Sequence, residues 1–498
     1  MNHPLVLGPV FIPLAGAALA LLLARANRLQ RYVALLAAAL MMLSSFGVLW
    51  LNLTRGPQVY RLGGWPVPFG LALAPDLLSA LFGVMASTVL FAGVLYAVSC
   101  RDHSITFPAF MPLFLTMSAG LNGALYTGDV FNLFVFLELM VVSSVAMVAV
   151  SDNRLGLEAA IKYLFISTIG TLALLIGIAA LYASFGTLNL ADIAALLATG
   201  DRPLLAQAAA LMLMTAFLVK GAVFPFHFWQ PDFHTTAPTP ISATLSSVVV
   251  KVGVYGLIRL TTLLFTVEAP LIRTLLIVLG IIGVFFGGLG ALRTYDAKRM
   301  LAYSTFGQIG FILVGIGWGT PLALAAAIIY AFNHALIKAA MLMLTGAVAS
   351  RTMPKTARLA DLGGVGYGMK GIGLLYLLGG LALAGVPPLN GFISKLALVQ
   401  AGVADGRWLG LGLAVGGGLI TLLYVIRAWQ HIFQRRPGED TPVEVKPYGD
   451  SALAPALLIA LSVALGLYAA PLIDVSLLAV QQITDPAIYI GAVLGGGG

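Results

Sequence analysis

The chain has 498 residues, of which 60% are hydrophobic and only 9% are charged. A soluble protein carries about 25% charged residues, so the composition excludes an ordinary soluble domain and indicates a membrane protein. The formal net charge of +8 does not point to nucleic acid, because most of the basic residues lie near the ends of apolar segments. The single cysteine, Cys100, excludes an intrachain disulfide and a cysteine-ligated metal cluster.

Apolar segments of about 20 residues recur along the chain, and each is long enough to cross the hydrocarbon layer as a helix. A β-barrel would show weaker, alternating segments instead. We therefore predict an all-α polytopic membrane protein with about 14 transmembrane helices. The predicted spans are 4–25, 31–51, 75–98, 107–126, 129–150, 160–183, 205–226, 240–263, 270–292, 299–317, 320–348, 371–402, 408–430 and 452–475.

The fifth predicted span carries an acidic residue at mid-depth. Glu138 lies nine residues beyond Asp129, which corresponds to about 14 Å along a helix axis. This depth is close to the bilayer centre, and Glu138 is the acidic residue that we place clearly within a span.

The sixth to eighth spans contribute lysines. Lys162 lies near a span end, where its amine could snorkel to the surface. Lys220 precedes Gly-Ala-Val-Phe-Pro225, so a helix breaker follows an intramembrane amine, and Lys251 lies in the next span. Proline removes a backbone donor, and the freed carbonyls are tolerated in a membrane only inside protein or beside water.

Two loop segments carry further features. Residues 188–198 form either a short amphipathic helix at the membrane interface or an ordinary loop helix. His227 and His234 flank a loop that contains Asp232. A metal site needs three or four converging ligands, so we favour a role at the cytoplasmic proton entrance and predict no metal and no cofactor. Intramembrane enzyme motifs are missing from the sequence, so we expect a transporter subunit rather than an enzyme.

Polar residues recur in the tenth and eleventh spans. Ser304, Thr305 and Gln308 either hold water in a polar channel or form interhelical hydrogen bonds. His334 and Lys338 are four residues apart and share a helix face. Imidazole can pass protons at neutral pH, although a hydrogen-bonded core histidine is an alternative.

A second broken helix is predicted where Gly385-Val-Pro-Pro-Leu-Asn-Gly391 precedes Lys395. Interrupted helices in both halves of a transporter indicate inverted repeats around a midplane site, whereas simple kinks are the alternative. We predict N-terminal helices at 1–106, inverted five-helix repeats at 107–265 and 266–435, and a C-terminal helix and tail at 436–498. Each repeat would contain one broken helix and one proton half-channel.

Four lysines lie inside predicted spans: Lys220, Lys251, Lys338 and Lys395. A charge at mid-bilayer costs about 2.5–3.5 kcal/mol, so these amines should not face lipid. One carboxylate cannot neutralise four ammonium groups, and burial together with neighbouring positive charge favours the neutral amine. We therefore expect a set of coupled sites that exchange protons, with Glu138 controlling its nearest lysine, either Lys220 or Lys162.

The distribution of the remaining basic residues predicts the topology. If the N-terminus lies outside, most of them fall on the cytoplasmic side, as the positive-inside rule requires. Both termini would then be on the outer side. The basic residues predicted outside are Arg55, Arg61, Arg202, Arg259, Arg273 and Arg407.

Several of these polar segments resemble one known family, the antiporter-like subunits of respiratory complex I, membrane-bound hydrogenases and Mrp-type sodium/proton antiporters. The matching segments are KGAVFPFHF (220–228), HTTAPTPISA (234–243), KVGVYG (251–256), LAYSTFGQIG (301–310), HALIK (334–338) and 387–395. Within the family, the N-terminal MNHPLVLGPVFIPL, GGWPVPFG (63–70), QQITDPAIYIGAVL (481–494) and Lys395 resemble Mrp D subunits. The histidine-bearing loop after Trp229 is closer to complex I.

The resemblance implies 14 helices with two inverted five-helix repeats. It also implies a pair formed by Glu138 and Lys220 in the first half-channel, and a modulating role for Lys162. Lys251 and Lys338 would relay protons along the central axis with His334 between or beside them. Lys395 would be the terminal donor of the second half-channel.

The implied function is proton translocation in a multisubunit sodium/proton antiporter of a bacterial inner membrane, which requires partner subunits. One alternative is the corresponding proton-pumping subunit of a complex I type NADH:quinone oxidoreductase or membrane-bound hydrogenase. Another is a structural membrane scaffold whose polar residues do not conduct.

Overall fold

A computed structural model describes residues 3–200, 203–436 and 444–495, and Arg202 of the predicted topology lies outside these ranges. The described chain is predominantly helical. Ten of its helices are long and apolar enough to cross a membrane, or eleven if one bent pair counts as a single span. The predicted class, an all-α polytopic membrane protein, is confirmed, whereas the number of 14 spans and the inverted repeats remain predictions.

The α-helices in chain order are α1 (Gly8–Leu22), α2 (Asn27–Arg55), α3 (Leu77–Ser99), α4 (Phe110–Tyr126), α5 (Val130–Ala149), α6 (Arg154–Phe185), α7 (Leu190–Ala198), α8 (Leu204–Lys220), α9 (Trp229–Thr236), α10 (Thr239–Thr244), α11 (Lys251–Arg259), α12 (Ala269–Arg293), α13 (Ala297–Trp318), α14 (Pro321–Ala349), α15 (Leu359–Leu362), α16 (Lys370–Ala384), α17 (Asn390–Ala404), α18 (Trp408–Trp429), α19 (Leu453–Leu467), α20 (Ala470–Ile483) and α21 (Pro486–Leu494).

Shorter elements complete the described fold. Short 3₁₀ helices cover Pro4–Leu7, Leu62–Gly64 and His103–Thr106. Turns of π-helix cover Leu245–Val249, Leu260–Leu264 and Gln430–Gln434. Two antiparallel strand pairs join β1 (Tyr60–Arg61) to β2 (Ala72–Leu73) and β3 (Thr352–Met353) to β4 (Glu444–Val445).

Helix starts follow the capping residues in the sequence. Asp129 precedes α5 and accepts a hydrogen bond from the backbone N–H of Asn132 at 2.7 Å. Asn189 caps α7 in the same manner, so 188–198 contains a short helix as predicted. Such side chains satisfy backbone donors that have no partner within the helix.

Helix breaks occur at the predicted positions and at one further place. α8 ends at Lys220, and α16 and α17 are separated at the Gly385–Pro388 segment. The predicted span 452–475 is instead two helices, α19 and α20, which meet at 79°. Pro471 occupies the first turn of α20, where its missing N–H is tolerated, but it cannot continue a preceding helix.

The buried centre consists of a few helices. In the most apolar window of α14, 94% of the residues are buried, and the segment Thr239–Leu264 is buried throughout. In α1, α2 and α12 the corresponding share is 39%. Glycines allow α12 and α13 to approach closely, since a Cβ atom on Gly287 would lie 2.4 Å from the backbone nitrogen of Gly307. The predicted lysines Lys251 and Lys338 therefore lie on the central elements.

Candidate functional site

Glu138 and Lys220 face each other between α5 and α8. The Lys220 Nζ lies 3.7 Å from Glu138 Oε1 and donates a hydrogen bond to Thr171 Oγ1 at 3.1 Å. Thr171 in turn donates to Glu138 Oε1 at 2.5 Å. Of the two lysines predicted as possible partners of Glu138, the structure therefore places Lys220 beside it.

The two members of this pair differ in burial. The Lys220 side chain is 4% exposed, whereas that of Glu138 is 32% exposed. Glu138 shares the outer face of α5 with the exposed side chains of Phe131, Val135 and Val142. The pair is thus buried on the lysine side and open to the surroundings of the chain on the carboxylate side.

Lys162 belongs to a different, more exposed group. Its Nζ lies 2.7 Å from Glu158 and 3.0 Å from Asp232, and its side chain is 43% exposed. Asp232 also lies 3.4 Å from Arg299. Lys162 therefore joins α6 to α9 by ion pairs and is not part of the Glu138 pair.

The two histidines near Asp232 do not converge on it. His227 packs against the rings of Phe224 and Phe286. The His234 Nδ1 forms a 2.8 Å hydrogen bond with Ser242 Oγ. Among the described residues, no group of three or more histidine, cysteine or acidic side chains is arranged to hold a metal ion.

Lys251 and His334 are in contact at the centre of the molecule. The Lys251 Nζ lies 2.7 Å from His334 Nδ1, and both side chains are buried. Lys251 follows the π-turn Leu245–Val249, which places its amine 3.5 Å from the Ser246 carbonyl. In this turn the Val250 N–H donates to the Leu245 carbonyl five residues back, at 3.3 Å.

Lys338 is held on α14 by α13. Its Nζ donates to the Leu301 carbonyl at 3.1 Å and to Ser304 Oγ at 2.7 Å. The polar group on α13 makes interhelical hydrogen bonds, which is the second of the two predicted alternatives. These join Ser304 to Tyr424, Thr305 to Ser246, and Gln308 to Tyr330 and Thr421.

A small cavity lies beside His334. His334 Nε2 is buried and has no hydrogen-bond partner among the described residues. His334 lines a cavity of about 10 Å³ together with Gln308, Tyr330 and Ser394. A cavity of this size has room for about one water molecule, and a water held by its polar lining groups could connect the imidazole to Ser394 on α17.

Lys395 lies on α17, just after the second break. Its Nζ donates to the Ala384 carbonyl at 2.5 Å and lies 5.5 Å from the centre of the Phe311 ring. Carbonyls at a helix C-terminus lack intrahelical partners and carry partial negative charge. The broken end of α16 therefore supplies a polar partner for this amine in place of a carboxylate.

Two buried cations were not predicted from the sequence. The pattern places Lys298 at a span end, but it is buried and donates to the Ala237 carbonyl at 3.3 Å. The predicted topology makes Arg259 an external charge, but it is buried and pairs with Asp76 at 2.5 Å. Arg259 falls inside the predicted span 240–263, so its position in the sequence could have revealed its burial.

Lys298 lines a large open cavity of about 1420 Å³ near the start of α13. Asp102 and Lys355 line the same cavity and form an ion pair at 2.6 Å. Burial alone would raise the pKa of Asp102, but the charge of Lys355 and hydrogen bonds to the carboxylate lower it below its ordinary value. The cavity is therefore a charged vestibule that reaches a buried amine.

Comparisons with known proteins find relatives that match most or all of the chain. A family model described as "NADH:quinone oxidoreductase/Mrp antiporter, TM" matches residues 127–421. The chain is 32% identical to the D subunit of the Na(+)/H(+) antiporter of Alkalihalophilus pseudofirmus, covering 99% of this chain and 100% of that protein. It is 34% identical to the N subunit of the NADH-quinone oxidoreductase of Desulforudis audaxviator, covering 88% and 89%. A chain in the Mrp complex from Dietzia sp. DQ12-45-1b superposes with a TM-score of 0.89 at 26% identity, covering 99% and 100%.

Proposed function

Because the chain belongs to the family of membrane subunits shared by NADH:quinone oxidoreductases and Mrp antiporters, we propose that it translocates protons as the D-type subunit of a multisubunit sodium/proton antiporter. The observation that carries this proposal is the contact between Lys251 and His334. Both groups are buried, and no acidic side chain in the described chain pairs with either. Two adjacent basic groups without an anion are best accommodated if they share and exchange a proton.

The proposed route begins at Glu138 and Lys220, where Thr171 bridges the two groups. At the centre, a protonated Lys251 donates its proton to His334 Nδ1. The imidazole then releases the Nε2 proton to a water in the cavity that His334 lines, which leaves the ring neutral with its proton on Nδ1. Histidine is suited to this step because its two nitrogens can accept and donate on opposite sides of the ring.

Lys338 and Lys395 complete the proposed row. Lys338 holds a hydrogen-bonded position four residues from His334, and Lys395 would receive the proton at the second break and release it. Lys162 would modulate the first half through its ion pair with Asp232. The vestibule that contains Lys298 is also lined by residues 235–238, which follow His234 directly, and this supports the proton entrance proposed at the loop of His227, Asp232 and His234.

We further propose that the fold has 14 transmembrane helices, with inverted repeats at 107–265 and 266–435 and both termini on the outer side of a bacterial inner membrane. Two broken helices, one in each proposed repeat, support this arrangement. The partial exposure of Glu138 supports partner subunits, because a mid-membrane carboxylate that faced lipid would be costly.

A second candidate is the proton-pumping subunit of a complex I type oxidoreductase or a membrane-bound hydrogenase. The 34% identity to the N subunit of an NADH-quinone oxidoreductase favours it. In either case the chain would act in transport, without redox chemistry of its own. The genes that neighbour this one would distinguish the two, since an antiporter would be accompanied by small antiporter subunits and an oxidoreductase by quinone-binding or hydrogenase subunits.

The direct test is sodium/proton exchange in vesicles that contain the assembled complex. Glu138→Ala and Lys220→Ala should abolish exchange while the complex still assembles, because each removes one member of the first pair. Glu444→Ala and Lys370→Ala are matched controls, since both residues are exposed and lie outside the proposed route, and they should retain exchange. Wild-type rates in both test variants would falsify the assignment.

A further inference from the structure

A basic pocket opens where α12 and α18 end. It has a volume of about 640 Å³ and is lined mainly by polar side chains from the end of α18 and the π-turn that follows it. These are Arg427, Gln430, His431, Gln434 and Arg435, together with Tyr295 just beyond the end of α12. The proposed proton route uses none of them.

The Arg427 guanidinium is held in a defined position. One of its nitrogens donates to the Leu292 carbonyl, and its central carbon lies 5.1 Å from the centre of the Tyr295 ring. A guanidinium has five N–H donors, so this single hydrogen bond leaves donors for an anion. The guanidinium is therefore held in place and still has N–H donors available for an anion.

The side chains that line the pocket do not balance its positive charge. Within the described chain, no acidic side chain lines it. Two nearby carboxylates are engaged elsewhere, since Asp296 accepts from the Arg299 N–H at 2.8 Å and Asp361 accepts from Thr356 at 2.9 Å. Two arginines, Arg427 and Arg435, thus line this cavity, and no acidic side chain in its described lining balances their charge.

An apolar surface leads directly into the pocket. Val415, Leu419 and Leu423 are exposed on α18 at four-residue spacing, and Arg427 is the next residue in that row. On the adjacent α12, Leu289 is exposed one turn before its C-terminus. α12 and α18 pack together, since a Cβ atom on Gly288 would lie 2.9 Å from Ile420. The surface is thus continuous from hydrocarbon depth to the basic groups.

We propose that this pocket binds the phosphate of an anionic phospholipid headgroup, with an acyl chain lying along the exposed row of α18. Guanidinium groups recognise phosphate through paired hydrogen bonds, and basic pockets between helix ends are suited to anionic lipid headgroups. The apolar row favours a lipid over a free phosphate ion, because only a lipid would contact both surfaces.

The test uses the purified assembled complex and fluorescent phosphatidylglycerol in detergent micelles. The double substitution Arg427→Gln and Arg435→Gln should weaken the binding of phosphatidylglycerol by about 30-fold, because it removes two cationic contacts to the headgroup. The control substitutions Arg25→Gln and Arg28→Gln remove the same charge from exposed positions where α1 is followed by α2. They should change binding by less than about twofold, because distant exposed charges are screened.

Three results would overturn the proposal. Equal losses in the test and control variants would indicate non-specific attraction. Full displacement by millimolar inorganic phosphate would indicate a free-anion site. Crosslinking of Gln434→Cys to another subunit would indicate that protein covers the pocket. If the double variant fails to assemble, Arg435→Gln alone should still weaken binding by about fivefold, and an unchanged affinity would contradict the proposal.

Discussion

The buried ion pair between Asp76 and Arg259 gives a sharp test of how the fold tolerates charge. The Asp76→Asn substitution keeps a helix-capping group before α3, where Asp76 accepts from the Ser79 N–H at 2.9 Å, but it removes the negative charge. Arg259 would then be buried without its counter-ion. Breaking a buried pair in this way costs about 3–5 kcal/mol, although the remaining hydrogen bonds to Tyr255 and Ser79 favour the lower end.

Asp129 provides a matched control. It also caps a helix and is buried, but no cation forms an ion pair with it in the described chain, so Asp129→Asn should cost less than about 1 kcal/mol. The assay is the melting temperature of the purified complex in detergent. Asp76→Asn should lower it by several degrees, and Asp76→Asn with Arg259→Met should recover most of the loss because no lone charge remains. Equal effects of Asp76→Asn and Asp129→Asn would refute the reasoning.

Three further predictions concern the second half of the chain and the vestibule. Gly391→Ala should abolish folding or transport, because its Cβ would lie 1.7 Å from a backbone carbonyl of α16, whereas Gly371→Ala meets nothing within 4 Å and should leave transport in vesicles unchanged. Lys395→Glu keeps an ionisable group, so exchange should survive in part with a shifted pH optimum; identical pH profiles would contradict a protonic role. Asp102 has a lowered pKa, so its pairing with Lys355 stabilises the fold above the ordinary aspartate pKa, and this contribution is lost as pH falls through the lowered value. Lys355→Met should therefore lower the melting temperature at pH 7 by more than it does near pH 3, and a pH-independent difference would argue against the pairing.

The sequence predicted those features of the fold that depend on local chemistry. Glycine and proline next to Lys220 and Lys395 predicted two broken helices, and the structure has a break at each position. The bend between α19 and α20 was not predicted, because the apolar run through Tyr468 was interpreted as one span, although Pro471 marks a position where a preceding helix cannot continue. Length and polarity can be read along a chain, but the angle between two helices depends on what they pack against.

The sequence predicted which residues form the candidate site better than it predicted which of them are in contact. Lysines inside apolar spans are unusual enough to identify Lys251 and Lys338 directly. The contact between Lys251 and His334, however, joins residues 83 positions apart, and the sequence alone gives no distance between them. Lys298 was missed for a related reason, since a lysine near the start of a span has the same local pattern whether it reaches water or is covered by a neighbouring loop.

The π-turn before Lys251 sets the direction of the Lys251 side chain, and so determines whether its amine reaches His334. Each residue of an α-helix rotates by about 100° around the axis, and a π-turn accommodates one extra residue in the coil. If Leu245–Val249 rewound into regular α-helix, Lys251 would swing by roughly this angle and its amine would leave the His334 nitrogen. A local change of coil, with every side chain intact, would thus interrupt the proposed proton route at the contact between Lys251 and His334.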